Sequence, residues 1–111
     1  MRHIFCELYE ANLYFCLGWS EKRFIKEMKE RWDDDLETLH GCDGNTQEHV
    51  APDGSQLIFI WVRDKKDIAT LVHECLHATH MILHARGVKP CFVNDETTAY
   101  LLDFIVRKAL K

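Results

Sequence analysis

Residues 56–62, Gln-Leu-Ile-Phe-Ile-Trp-Val, carry the strongest strand signal in the chain. They are a run of β-branched and aromatic side chains set behind the turn signature Pro52-Asp53-Gly54. A strand needs partners, and three flanking segments offer them. Residues 3–10 and 12–17 are rich in the same residue types and read as a hairpin or as one long bent strand. Residues 46–50 are the candidate hairpin partner of 56–62.

Helical periodicity accounts for most of the rest. Ser20 reads as the N-cap of a helix over 21–32, with Phe24, Ile25, Met28 and Trp32 recurring on one face that should lie on the sheet. Asp64 or Asp67 caps a second helix running to Arg86, where Gly87 suits the C-cap and Pro90 follows. Asn94 caps a third helix from Asp95 to about Leu110, with Leu101, Leu102, Phe104, Ile105 and Ala109 forming a core-facing stripe. Between 33 and 50 the pattern is weak: an acidic run at 33–35 precedes turn signals at Gly41, Gly44 and Asn45. No repeat or linker divides the chain. The expectation is one α+β domain over 1–111, a short mainly antiparallel sheet with one N-terminal helix and two later helices packed beneath it.

Composition narrows the function. With 47% apolar and 29% charged residues the chain is globular rather than disordered. A net charge of −4, with its basic residues scattered, argues against a nucleic-acid partner. No segment approaches the roughly 20 apolar residues of a membrane span, and Glu7 and Glu10 interrupt any signal-peptide run, so a cytoplasmic location is expected. Five cysteines, an odd number without a CxxC pair, read as reduced thiols, mostly in the core.

The unusual component is histidine, with four of the seven between His73 and His84. His73-Glu74-Cys75-Leu76-His77 is an HExxH pentapeptide, and on a helix its histidines stand one turn apart, able to chelate one zinc ion. Glu74, one residue after the first ligand, can reach a water at the metal without binding the metal itself. At 100° per residue, Ile68, Leu71, Val72, Cys75, Leu76, Thr79, Ile82 and Leu83 share an apolar face. His73, His77, His80 and His84 form a stripe roughly 130° from its centre. Chance would produce the three fixed positions in about 3% of chains of this composition. The spacing therefore gains weight from its context: a helix behind a strand, and an acid, Glu96, in the first turn of the next helix.

HExxH followed after 18 intervening residues by Glu96 resembles the gluzincin branch of zinc metallopeptidases. The wider pattern, with Asn94-Asp95-Glu96 and Ala99-Tyr100-Leu101-Leu102, is similar to small metallopeptidase-like proteins of phages and prophages. The match covers 73–96 and the helices that bear it. The metzincin continuation is absent, since His80 and Leu83 stand where its glycine and third histidine would be. The resemblance implies a zincin-like domain with one Zn²⁺ per chain held by His73, His77 and Glu96, with Asp95 the alternative third ligand. It implies Glu74 as general base in hydrolysis of a peptide or protein substrate, and Tyr100 as hydrogen-bond donor to a developing oxyanion. It also makes 56–62 a candidate substrate-binding edge, with a central place in the sheet as the alternative.

Other residues take blander roles. His80 and His84 suit cleft lining or surface, Asp103 pairs with Arg107 at i,i+4 or orients a histidine, and Cys75 points to the apolar face. His40, Cys42, Asp43 and His49 match no metal spacing. Two rival functions use the same residues: a non-catalytic zinc-containing binding or regulatory protein of phage origin, and a metal-free interaction domain.

Overall fold

The computed structural model describes residues 1–33, 42–93 and 95–111. The N-terminal segment is a hairpin: β1 (Arg2–Cys6) pairs antiparallel with β2 (Ala11–Leu17), Cys6 opposite Ala11. A second hairpin joins β3 (Gly44–Val50) to β4 (Gln56–Val62) across the Pro52-Asp53-Gly54 turn, where Gly54 takes φ +88° and donates to the Ala51 carbonyl at 2.8 Å. β3 begins at Gly44, in residues whose turn character had suggested a loop.

The two hairpins are united by a parallel ladder between β2 and β4, in register from Ala11–Gln56 to Leu17–Val62. Parallel neighbours need a crossover, and α1 (Glu21–Trp32) lies within it. The result is an α+β domain with a four-stranded mixed sheet in the order β1-β2-β4-β3 and three helices. β4 is therefore interior, which corrects the reading of 56–62 as a substrate edge in favour of its alternative, a central strand. Its own side chains explain why: Ile58, Ile60 and Val62 are buried on one face, Phe59 and Trp61 on the other. A strand apolar on both faces is stable only where both are covered.

α1 covers one face. The Ser20 hydroxyl accepts from the Arg23 N–H, and Phe24 and Met28 bury against Cys16, Phe59 and Trp61. Asp33 ends the helix in the left-handed region, its N–H bonded to the Lys29 carbonyl. The acidic residues after it, and His40, lie outside the described residues.

The opposite face carries α2 (Ile68–Ala85) and α3 (Glu96–Leu110). Asp67, not Asp64, caps α2 by accepting from the Thr70 N–H at 3.1 Å. At its other end Gly87, with φ +74°, donates to the His84 carbonyl while the Val88 N–H reaches Leu83, the Schellman pattern a glycine permits. Leu71, Cys75, Ala78, Ile82 and Leu83 face the core. Val72 and Leu76, assigned to that face by periodicity, are 36% and 38% exposed, and Glu74 is buried instead. The reason is the position of β3 beside α2, which covers an angular sector that an isolated helix would leave to solvent.

α3 buries Leu101, Ile105 and Ala109. Its N-cap position is Asp95, which makes no side-chain cap bond, and the Asn94 cap expected from sequence lies outside the described residues. At the other end the Arg2 guanidinium donates to the carbonyls of Lys108 and Ala109, tying α3 to the start of β1. Cys6, Cys16 and Cys75 are buried, Cys42 and Cys91 exposed, and none is in a disulfide. Burial pushes the Cys16 thiol up to about 12. Among the described residues no helix is long and apolar enough to cross a membrane.

Candidate functional site

Helix geometry brings His73 and His77 together on the exposed side of α2, their Nε2 atoms 3.2 Å apart and their ring centroids at 4.8 Å. Two nitrogens each about 2.0–2.1 Å from a tetrahedral ion stand about 3.3 Å apart, so the pair fits one edge of a zinc coordination shell. Both rings are exposed, leaving the open side of the pair to a ligand or substrate.

Glu74 differs from its neighbours. It is only 6% exposed, turned toward β3, where the Thr46 hydroxyl donates to its Oε1 at 2.8 Å and lies 3.1 Å from its main-chain carbonyl. Its second oxygen, Oε2, is 3.9 Å from His73 Nε2. One carboxylate oxygen is thus anchored by the sheet edge and the other faces the histidine pair. A buried carboxylate without a donor would be strongly disfavoured, and Thr46 supplies that donor.

Gly44 makes this approach possible. A Cβ there would fall 2.9 Å from each of Glu74 Cγ, Thr70 Cγ2 and the Trp61 main-chain oxygen. The last is backbone and cannot turn aside. Gly44→Ala is therefore expected to cost about 1–3 kcal/mol by overpacking, read as a lowered urea midpoint with unchanged m-value. A variant as stable as the native chain would show that β3 does not press on α2. The space beside these residues is an open cleft of about 390 Å³ lined by Cys42, Asp43, Gly44, Thr70, His73 and Glu74.

The remaining sequence candidates lie elsewhere. Glu96 and Tyr100 line a separate groove of about 900 Å³ between α3 and β1, with Tyr100 70% exposed. Among the described residues no group of three or more His, Cys, Asp or Glu is placed to hold a metal, so neither Glu96 nor Asp95 joins the histidine pair in this arrangement. His80 and His84 line a third cavity with Val88, Pro90 and Thr98. Asp103 is engaged by Arg107, whose Nε lies 3.0 and 2.9 Å from its two oxygens, the helical pair that i,i+4 spacing favours. His49 stacks on Trp32 with centroids 4.6 Å apart, on the α1 face of the sheet.

Sequence reasoning missed Thr46 and Gly44. Thr46 is 28 positions from Glu74, and Gly44 reads locally as a turn residue. The signal that could have found them is a small residue and a hydroxyl two apart at the start of a strand adjoining the motif helix. Comparison of the chain with protein-family models, with curated proteins and with solved structures gives no match.

Proposed function

We propose that this protein is a zinc-dependent metallopeptidase of zincin-like construction. In it His73 and His77 hold the ion, Glu96 supplies the third ligand and Glu74 is the general base. The observation that carries the reading is the convergence of two imidazole nitrogens, 3.2 Å apart, beside a buried carboxylate with one oxygen turned toward them. The reading requires a shift toward α2 of the first turn of α3, which Glu96 opens. Tyr100, one turn further on, would reach the site only with that shift.

When bound, zinc supplies Lewis acidity, lowering the pKa of a water toward about 7 and polarising a carbonyl. Glu74 performs the proton transfers. Its Oε1 is fixed by the Thr46 hydroxyl, which leaves Oε2 to take a proton from water and pass it to the departing amine. The burial of this carboxylate holds it in one orientation. β3, the outer strand beside the cleft, takes the role first expected of β4: its outward main chain can pair with an extended peptide.

Metal content tests the reading directly, by mass spectrometry on protein purified without a metal column. About one zinc per chain is expected, lost or weakened in both His77→Ala and Glu96→Ala. Loss in His77→Ala alone would move the third ligand, with Asp95 next to be tried. No metal in the native protein after zinc is offered would overturn the proposal.

A further inference from the structure

The groove between β1 and α3 lies outside the cleft that His73 and Glu74 line, and its α3 wall has an internal symmetry. Glu96, Tyr100, Phe104 and Lys108 follow one another at i,i+4 along α3, and all four line it. The stripe reads acid, aromatic, aromatic, base. Turned end for end, it is complementary to itself: 96 meets 108 and 100 meets 104.

The opposite wall has matching properties. β1 pairs only with β2 among the described residues, so its other edge presents unpaired main-chain groups. Its Phe5 is 48% exposed. The bonds from Arg2 to the carbonyls of Lys108 and Ala109 set the start of β1 level with the end of α3. From that level the midpoint of the stripe, residue 102, lies about 10 Å back along the helix at about 1.5 Å per residue. The same distance along a strand is about three residues, which reaches Phe5.

We propose that this groove is a homodimer interface, in which a second copy docks across a two-fold axis passing by Phe5 and the middle of α3. β1 pairs antiparallel with its counterpart over residues 4–6, placing Ile4 opposite Cys6 of the partner subunit and Phe5 opposite Phe5 of the partner subunit. Each pairing joins residues of equal parity, so every side chain keeps its own face of the sheet. Above the strands, α3 lies antiparallel to its counterpart. Glu96 meets Lys108 of the partner subunit, and Tyr100 packs on Phe104 of the partner subunit, each contact occurring twice. An axis placed at the middle of the α3 stripe passes by Phe5 on β1, and the charge complementarity of the stripe with itself selects a second copy as the occupant. The contact covers residues 4–6 of the exposed strand edge together with exposed apolar surface.

The dimer does not rest on the metallopeptidase reading. Glu96 can serve a metal or Lys108 of the partner subunit, but not both at once, so the test is made in EDTA. Sedimentation equilibrium of the native chain is expected to give twice 13.1 kDa, that is 26.2 kDa. Lys108→Glu and Phe5→Lys should each raise the dimer Kd by about tenfold or more, with unchanged circular dichroism. The exchanged variant, Glu96→Lys with Lys108→Glu, should return to near the native Kd. A monomer at about 100 µM would overturn the proposal. So would a dimer insensitive to Lys108→Glu and Phe5→Lys, or one that the exchange fails to restore.

Discussion

Glu74→Gln is expected to retain zinc and to lose peptide hydrolysis by about 10²–10⁴-fold, the range that removal of a general base produces. The substitution isolates the proton-transfer role because it changes little else. The amide is nearly isosteric, its oxygen can still accept from the Thr46 hydroxyl now 2.8 Å from Oε1, and the contacts with β3 are preserved. What the amide cannot do is accept a proton at the position of Oε2, the oxygen that faces His73. Metal content and turnover are measured on the same preparation. Full turnover with full metal loading would remove Glu74 from the mechanism, whereas loss of both would mean that the carboxylate serves mainly to build the site.

Trp61→Ala carries the largest expected loss of stability. Trp61 is completely buried, stacked on Phe24 with centroids 5.4 Å apart and planes 9° from parallel, and its indole N–H donates to the Trp19 carbonyl at 2.9 Å. Truncation would empty the space between α1 and the sheet and leave that carbonyl without its donor. Deletion of a buried large aromatic costs about 3–5 kcal/mol, a substantial share of the roughly 5–15 kcal/mol that stabilises a domain of this size. Urea unfolding followed by circular dichroism reads the change. A loss below about 1 kcal/mol would mean that α1 does not unfold cooperatively with the sheet.

Much of the architecture was legible because its causes are local. Ser20, Asp67 and Gly87 punctuate helices through bonds spanning three to five residues, and the structure places each of those bonds as the residue types suggest. The two hairpins follow from turn chemistry and strand composition. The parallel β2–β4 ladder was not legible, because nothing within either strand records the register of a neighbour 45 positions away, as in Ala11 with Gln56 (56 − 11 = 45). The same limit applied to α2. Periodicity assigned Val72 and Leu76 to the core and left Glu74 beside the ligands, but β3 covers part of that helix and reverses the exposures.

By itself the sequence determined the pairing of His73 with His77, since a helix carries any two residues four apart onto one face whatever surrounds it. It likewise determined that β4 would be a strand and that three amphipathic helices would form, each with an apolar face to cover. Only the tertiary structure decided that β4 is interior, that Gly44 lets β3 close on α2, and that Thr46 holds Glu74. It also decided that Glu96 and Tyr100 look into the groove along β1. These are contacts between segments far apart in the chain, set by which faces must be covered, and no local period encodes them.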